Sequence, residues 1–470
     1  MLFSSISFIF LFFPISILIY YLVPQKMRNI VLLIESMVFY SWGEPVYVVL
    51  LILSAFLNYY CGLDIEEKRE DPVKARGSLI FAIVINVVLL LFFKYYGFFM
   101  DSVNALLSDD IPYRELSMPI GISIYTLRAI SYQIDVYRGE ARAQRKFVAF
   151  GLYLSLFPLM IVGPIERYVD MEKQLARRTL SPQRFGSGAM LFICGLAKKA
   201  ILADTIGILQ EEITNLPIGT FSVLTAWIGV AAFAFRFYFE LSGFSDMAIG
   251  IGRILGFDLH RNFNYPYISR NIIEFGRRWN VTLHTWFREY VYKTLDGTER
   301  GALGPVWSVV LIGALMGLWY GAGWKFLWWG IYGCVFVILE RFIWGDRLKM
   351  LPNIVQHIYT IVFVFIGWVF FFSPDVGTAF DYIGVMFGFS AKALIDSQSL
   401  YFIGTHWLLL LVCILGCSSR GNGALQTLTT APGSSTGKTI AVSIVYMLLF
   451  VASLAFLITG MPEFGLIIQF

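Results

Sequence analysis

The amino-acid sequence predicts an all-α, polytopic membrane protein with about 11–13 helices. Composition supports this first, because 57% of the residues are hydrophobic and 14% are charged, against about 45–50% and about 25% in soluble domains. The apolar runs are also continuous over about 20 residues instead of alternating, which favours helices over a barrel. We expect one integral-membrane domain over residues 1–470. A net charge of +4 is too small to indicate a nucleic-acid partner.

Residues 2–25 form the first predicted span, since they hold no charged side chain and no small-residue cleavage site follows them. Pro24 stands at the end of this run, where a helix stops without strain. Lys26 and Arg28 come next, and no basic side chain precedes the span. The positive-inside rule therefore places the N-terminus outside the cell.

Hydrophobic runs predict the remaining spans. They are expected near residues 29–43, 45–62, 78–98, 147–165, 185–203, 219–250 (a long or broken pair), 301–324, 326–344, 352–373, 397–417 and 439–461. The shorter apolar stretches 117–134 and 376–391 are expected to be re-entrant or tilted. Residues 64–76 are expected to form a solvated loop. Residues 418–438, rich in Gly, Ser and Thr, are expected to form a flexible linker.

The polar stretch of residues 253–300 differs from a plain loop. It carries eight basic and five acidic side chains, with aromatic residues woven through it. We expect elements packed inside the protein with charges facing a wet cavity, where ionisable side chains are functional candidates. If residues 274–297 form one helix, Asn280 and His284 lie on the same face of it, and both side chains point into one cavity. The alternative is a structural His at a polar interface lined by aromatic residues.

Glycines recur through residues 313–330, at positions 313, 317, 321, 323 and 330. Small residues at this spacing let helices approach closely in lipid. The aromatic side chains crowded around the glycines are Trp319, Tyr320, Trp324, Trp328 and Trp329. Because helix packing does not explain these aromatics, they are also candidates to line a tunnel for an acyl chain.

Motifs along nearly the whole chain resemble the membrane-bound O-acyltransferase (MBOAT) family, in its bacterial alginate O-acetylation branch. The segments that carry the resemblance are MLFSSISFIFLFFPI (1–15), PIGISIYTLRAISYQIDVYRG (119–139), FPLMIVGPIERY (157–168), GLAKKAILAD (195–204), YFELSGFSDMAIGIG (238–252), NFNYPYIS (262–269), WFREYVY (286–292) and the final QF (469–470). The resemblance implies a helical bundle around a central tunnel, which the acyl donor enters from the cytosol and the acceptor from the opposite face. It also implies a tunnel His that acts as general base on the acceptor hydroxyl, which suits a pKa of about 6.5.

Both motifs that carry the family's histidines depart from the pattern here. The Leu-Trp-His-Gly motif reads Leu-Trp-Tyr-Gly, so that Tyr320 stands at the position of the catalytic His. The Phe-Trp-Arg-Arg-Trp-His motif reads Phe-Gly-Arg-Arg-Trp-Asn, with Gly276 replacing Trp and Asn280 replacing the second His. His284 stands where the branch usually has Ser. A neutral Tyr, with a pKa of about 10, is a poor base at pH 7.

Seven residues are therefore candidates for the site. The candidate catalytic residues are Tyr320, Asn280 and His284, and the candidate donor-binding residues are Arg277, Arg278, Trp279 and Trp319. Guanidinium groups suit bidentate pairing with phosphate or carboxylate. At least one of the two arginines is expected to be buried, against an anionic donor group or a carboxylate such as Glu274 or Glu289. The alternative is that these arginines meet lipid headgroups.

Three interpretations of function remain open. In the first, the chain is an O-acyltransferase, with His284 or an altered Tyr320 handling the proton. It moves an acyl group, by likeness acetyl, from a cytosolic thioester such as acetyl-CoA to an exported polysaccharide, a cell-wall polymer or a periplasmic relay protein. In the second, it is a non-catalytic scaffold or donor-binding subunit of a polysaccharide export or modification complex. In the third, Tyr320 is a single engineered or sporadic substitution.

The resemblance also implies which cofactor, partners and cellular location to expect. No permanently bound cofactor is expected, because the acyl thioester is a co-substrate. The expected partners are the lipid bilayer, the acceptor polymer and a periplasmic or extracellular SGNH-type O-acetyltransferase. The expected location is the cytoplasmic (inner) membrane of a bacterium. A transporter or channel is disfavoured, since charged residues do not recur at the midplane of several spans.

Overall fold

The chain is helical throughout the residues that the computed structural model describes. These are residues 2–107, 111–114, 116–295, 304–418 and 436–459. Their regular secondary structure is helix, which confirms the predicted all-α class. Most of the predicted linker at 418–438 and the final QF lie outside the described residues.

The α-helices are numbered in chain order. They are α1 (Phe13–Leu22), α2 (Arg28–Gly43), α3 (Tyr47–Glu67), α4 (Pro72–Leu107), α5 (Ile122–Arg138), α6 (Phe147–Ser155), α7 (Tyr168–Ala176), α8 (Pro182–Ala197), α9 (Asp204–Thr214), α10 (Val223–Ile254), α11 (Ile272–Arg278), α12 (Val281–Trp286), α13 (Lys293–Leu295), α14 (Gly304–Tyr320), α15 (Trp324–Leu339), α16 (Gly345–Met350), α17 (Asn353–Phe372), α18 (Val376–Met386), α19 (Ser397–Gly416) and α20 (Thr436–Thr459). Short π-helical segments continue several of them, including Phe287–Tyr292 after α12.

Seven helices in the described residues are long and apolar enough to cross a membrane, which makes this a multi-pass membrane protein. They lie within α3, α4, α10, the run from α15 to Met350, α17, α19 and α20. Segments Phe8–Leu22, Phe147–Leu159 and Val306–Tyr320 are apolar but shorter. The run predicted at 219–250 folds as one continuous helix of 32 residues rather than a broken pair.

The first of two compact units comprises Met1–Phe192 and Ser245–Arg261. Buried amides join α3, α4 and α5 in this unit. Asn58 and Asn86 donate to each other's side-chain oxygens at 3.1 and 2.8 Å, and Gln133 Nε2 donates to the backbone oxygen of Asn58 at 2.8 Å. Polar side chains that satisfy one another between helices stabilise helix association in lipid.

The second unit comprises Ile193–Phe244 and Asn262–Phe470 and contains α14 and α15. These two helices form a tight hairpin. A Cβ atom added to Gly317 would overlap the backbone oxygen of Phe326, and one added to Gly330 would overlap the backbone oxygen of Gly313. The glycines are therefore required for the close approach of the two backbones, as the spacing predicted.

Candidate functional site

The backbone at Trp279 and Asn280 interrupts the helix that the sequence predicted over residues 274–297. Trp279 is extended (φ −96°, ψ 125°), and Asn280 is left-handed (φ 43°, ψ 58°) before α12 begins. The prediction of one continuous helix through Trp279 and Asn280 is therefore wrong, although His284 still follows Asn280 by one turn, with its backbone N–H donating to the Asn280 oxygen at 3.1 Å. Asn tolerates the left-handed region better than most residues other than Gly, since its short side chain bonds locally.

Two upstream asparagines hold this break in place. The backbone N–H of Asn264 donates to the oxygen of Arg278 at 2.9 Å, and that of Val281 donates to the oxygen of Asn262 at 2.8 Å. The Thr282 hydroxyl donates to the side-chain oxygen of Asn262. A break in a helix leaves backbone N–H and C=O groups without helical partners. The bonds to Asn262 and Asn264 supply partners for the Arg278 oxygen and the Val281 N–H.

The break brings the two altered motifs together at the Tyr320 hydroxyl. Trp279 Nε1 donates to this oxygen at 3.0 Å, and Asn280 Nδ2 donates to it at 3.2 Å. The Tyr320 side chain is only 3% exposed, at the last residue of α14. A phenolic oxygen accepts two hydrogen bonds and donates one. With both lone pairs engaged, the Tyr320 proton points away from Trp279 and Asn280, and the described residues offer it no acceptor.

Aromatic side chains fix the Tyr320 ring in place. Its centroid lies 5.2 Å from that of Trp329 and 5.6 Å from that of Phe371, both close to edge-to-face. Trp368 stacks on Trp329 at 5.7 Å and lies 4.9 Å from Trp279. Such ring pairs add about 0.5–1.5 kcal/mol each beyond the burial of their area. The cluster is thus a rigid support for the hydroxyl.

The other aromatic candidates divide between this cluster and the surface. Trp319 meets the Tyr320 ring edge-on at 5.3 Å and an angle of 86°. Trp324 and Trp328 are 56% and 46% exposed. Only part of the predicted aromatic set therefore surrounds Tyr320.

His284 lies directly against Gly276. A Cβ atom on Gly276 would stand 3.2 Å from Cε1 of His284, 3.8 Å from Nε2 and 3.9 Å from Nδ1. Eight residues of continuous helix rise about 12 Å, so the contact requires the break between α11 and α12. Both residues keep part of their surface accessible, and neither ring nitrogen hydrogen bonds to the described residues.

Desolvation by the surrounding protein lowers the pKa of the half-buried His284 imidazole from the usual 6.5 to about 4. The residue belongs to α12, which is not among the helices long enough to cross a membrane. At pH 7 the ring is therefore neutral, with one nitrogen that accepts a proton or hydrogen bond and one that donates. The structure joins Trp279 and Asn280 to the Tyr320 hydroxyl. His284 follows one helical turn later, and its backbone N–H donates to the backbone oxygen of Asn280 at 3.1 Å.

The two candidate arginines differ in their surroundings. Arg278 is half-buried, with its guanidinium 2.9 Å from the Glu274 carboxylate and 3.0 Å from the backbone oxygen of Asn264. The predicted contact with Glu274 is therefore present, and Arg278 helps to hold the break. Arg277 is exposed and makes no ion pair with the described residues. The expectation that at least one arginine is buried is therefore met only in part, by the half-buried Arg278.

Glu340 is a supporting residue that the sequence analysis missed. Its carboxylate is 5% exposed and accepts hydrogen bonds from the backbone N–H groups of Ile272 at 2.7 Å and Ile273 at 3.0 Å. Asn271 adds a side-chain cap to Glu274 N at 2.7 Å, so the first turn of α11 has its free donors satisfied. An acid inside the apolar run 326–344 was the available signal.

Comparison with known proteins identifies the family. Residues 140–374 match the model of the membrane-bound O-acyltransferase family. The chain is 35% identical to a "probable alginate O-acetylase" of Pseudomonas putida over 88% of this chain and 86% of that protein. It is 30% identical to the peptidoglycan O-acetyltransferase of Helicobacter pylori, over 84% of this chain and 81% of that protein. It is 26% identical to the teichoic acid D-alanyltransferase of Bacillus subtilis, over 63% and 79%. The chain therefore belongs to the membrane-bound O-acyltransferase family.

Proposed function

We propose that this protein transfers an acyl group, acetyl or a close relative, from a cytosolic thioester such as acetyl-CoA to an acceptor hydroxyl beyond the membrane. The acceptor is an exported polysaccharide, a cell-wall polymer or a periplasmic relay protein. The relatives are named for acyl transfer to alginate, peptidoglycan and teichoic acid, which supports an envelope polymer. One observation carries the proposal: two motifs 41 residues apart converge with two N–H donors on the Tyr320 hydroxyl.

Tyr320 serves in this proposal as a hydrogen-bond donor to the thioester carbonyl. Its oxygen is saturated by Trp279 and Asn280, so that only its proton remains to meet a substrate oxygen. A phenol with an ordinary pKa of about 10 keeps this proton at neutral pH. Donors aimed at a developing oxyanion stabilise acyl-transfer transition states. Trp279 and Asn280 are then positioning residues.

His284 is the proton acceptor. Its neutral imidazole takes the proton of the acceptor hydroxyl while that oxygen attacks the thioester carbonyl carbon. The C–O bond forms, the C–S bond breaks and the departing thiolate takes the proton, so the imidazole returns to its starting state. A single imidazole thus handles the proton in both directions without a bound cofactor.

The donor's anionic groups meet Arg277 in this account. Its guanidinium is exposed and has no ion-pair partner among the described residues, whereas Arg278 is engaged by Glu274 and Asn264. A bidentate contact with phosphate suits the free guanidinium. We place the protein in the bacterial cytoplasmic membrane, with an SGNH-type O-acetyltransferase as its periplasmic partner when the acceptor is a relay protein.

The test is transfer of radiolabelled acetyl from acetyl-CoA in inverted membrane vesicles that hold this chain and an envelope polymer. We expect label on the polymer or on a co-expressed SGNH-type partner, and no transfer from vesicles that lack the chain. A silent wild type beside a Tyr320→His variant that transfers label would contradict the proposal. That outcome would favour a non-catalytic scaffold or donor-binding subunit.

A further inference from the structure

A groove lies between α10, α17 and α19, three of the helices that are long and apolar enough to cross the membrane. Its volume is about 540 Å³, and most of its lining is aliphatic or aromatic. Ile414 on its rim is 57% exposed, so the groove is accessible from the lipid. We propose that it binds one acyl chain of an anionic phospholipid, whose phosphate is held by Arg270. This binding is separate from acyl transfer, because none of the candidate catalytic or donor-binding residues lines the groove.

The groove follows two helices in turn. His357, Ile361 and Phe365 line it along α17, and residues 227–235 contribute its lining along α10. The two segments meet at Tyr267, whose ring centroid lies 6.1 Å from that of Phe365 and 6.4 Å from that of Phe235. Each segment spans nine residues and rises about 12 Å.

The helices α10 and α17 run antiparallel. Ring contacts at 5.1 Å between Phe233 and Phe372 and at 5.2 Å between Phe237 and Trp368 establish this direction. The two lining segments therefore follow one another end to end, and the groove extends over about 24 Å. A volume of about 540 Å³ over this length gives a mean width of about 5 Å.

This shape selects the occupant. An α-helix with its side chains is about 10–12 Å across, so a partner helix is too wide for the groove. A single hydrocarbon chain is long and narrow enough to lie in it. The bilayer around the membrane-crossing helices supplies such chains at high concentration.

One end of the groove carries an unpaired positive charge. Ile268 lines the groove, and Nδ1 of His357 donates to the backbone oxygen of Ser269 at 3.0 Å. This bond fixes the following residue, Arg270, at the end of the groove where α17 begins. The Arg270 side chain is exposed and makes no ion pair with the described residues. A guanidinium in this position complements a phosphate, with which it forms paired N–H···O bonds.

Nearby basic side chains indicate the side of the membrane. Arg347 and Lys349 lie in α16, immediately before α17, and Lys349 pairs with Asp346 at 2.8 Å. The positive-inside rule places this end of α17 in the cytosol. The cytosolic leaflet has a negative surface potential, and basic pockets between membrane-crossing helices on this side bind anionic headgroups. The occupant is therefore an anionic phospholipid and not a zwitterionic one.

Photolabelling of the full-length protein tests the phosphate contact. The protein is reconstituted in phosphatidylethanolamine vesicles with a small share of phosphatidylglycerol that carries a photoreactive group on its acyl chain. Peptide mass mapping then locates the label. We expect residues 227–235 and 410–418 to be labelled more than other lipid-facing segments. Arg270→Gln should reduce this label about fivefold, as expected for one basic contact near the membrane surface. Arg142→Gln, which removes another exposed arginine without an ion pair among the described residues, should keep the wild-type label.

A second substitution tests the acyl-chain contact. Ala231 lines the groove, so Ala231→Trp fills it from α10 and should remove the label from the groove. Gly404→Trp adds the same bulk to α19 at a position where a Cβ meets nothing within 4 Å, and it should leave the label in place. Ala231→Leu is a smaller block, to be used if the tryptophan variant does not fold.

Unlabelled competitors distinguish the possible ligands. We expect phosphatidylglycerol to displace the label from the groove, and phosphatidylcholine to displace it less. Equal competition by the two lipids, or equal label in Arg270→Gln and the wild type, would overturn the proposal. Label spread evenly over all lipid-facing helices would also overturn it. Displacement by inorganic phosphate alone would indicate an anion site without an acyl chain and would contradict the proposal as well.

Discussion

The side-chain N–H of Asn280 donates a hydrogen bond to the Tyr320 hydroxyl, with a distance of 3.2 Å between Nδ2 and the oxygen. The backbone of Asn280 is left-handed, with φ of 43°. Holding a residue other than Gly in this region costs of the order of 1–3 kcal/mol and persists only where the surroundings fix it. Here Asn262 and Asn264 provide that support by backbone pairing on both sides of the break. The strained residue is thus the one that orients the hydroxyl.

Two substitutions at Asn280 separate the strain from the hydrogen bond. Asn280→Gly removes the amide but adopts positive φ without penalty, whereas Asn280→Ala removes the amide and keeps the strain. We expect Asn280→Ala to unfold at a lower temperature than Asn280→Gly, by the equivalent of about 1 kcal/mol. Thermal unfolding of detergent-solubilised protein provides the measurement. Equal stability of the two variants would show that the backbone at this position is unstrained.

The helical hairpin of α14 and α15 provides a matched pair of glycines. A Cβ on Gly330 would overlap the backbone oxygen of Gly313, whereas one on Gly333 meets nothing within 4 Å. Since Ala favours helix over Gly by about 1 kcal/mol, we expect Gly333→Ala to be neutral or stabilising. Gly330→Ala is expected to destabilise by about 1–3 kcal/mol through overpacking. Thermal unfolding or folded yield measures both, and a stable Gly330→Ala would contradict the close approach.

Arg277 and Arg278 are expected to affect different properties. Arg278→Ala breaks the contacts with Glu274 and Asn264, so it should lower thermal stability. Arg277→Ala leaves stability within about 0.5 kcal/mol, because the side chain is exposed. It should raise KM for acetyl-CoA by about tenfold, the loss of one charge-assisted contact. Unchanged donor kinetics in Arg277→Ala would remove this residue from the donor site.

The pH profile of transfer tests the state of His284. Its pKa of about 4 leaves the neutral, proton-accepting form present at every higher pH, and this form is lost only as the pH falls through 4. We expect kcat/KM to be flat from about pH 5 to 8, where an ordinary His near 6.5 would cause a decline on acidification. The Glu166 carboxylate raises the pKa of His260, so this histidine can also titrate in the tested range. The His260→Gln variant removes its contribution to the pH profile and serves as the control. A decline centred near pH 6.5 that persists in this control would contradict a lowered pKa of His284.

The helical class and the close packing at Gly317 and Gly330 were predictable from the sequence. These follow from composition and residue spacing, which are local properties. The break at Asn280 was not predictable in this way, because it depends on pairing with Asn262 and Asn264. Helical periodicity therefore predicted one continuous helix where the chain forms two, α11 and α12.

The contact between Gly276 and His284 was not predictable for the same reason, since it also depends on the break between α11 and α12. Residues eight apart on one helix lie about 12 Å apart along its axis, so spacing alone argued against the contact. Glu340 was missed for a related reason. Its partners, the first N–H groups of α11, are 67 and 68 residues away in sequence. An acid in an apolar run signals a buried partner but does not identify it.

In the proposed reaction, His284 accepts the proton of the acceptor hydroxyl and Tyr320 donates a hydrogen bond to the thioester carbonyl. The most direct test compares wild type, His284→Ala and Tyr320→Phe for acetyl transfer from acetyl-CoA in one vesicle preparation. We predict that His284→Ala loses about 10²–10⁴-fold in rate, as expected for a general base. Tyr320→Phe removes the hydroxyl that donates to the thioester carbonyl and accepts from Trp279 and Asn280, and we predict a loss of about tenfold in rate. Full wild-type activity that survives His284→Ala would contradict the account.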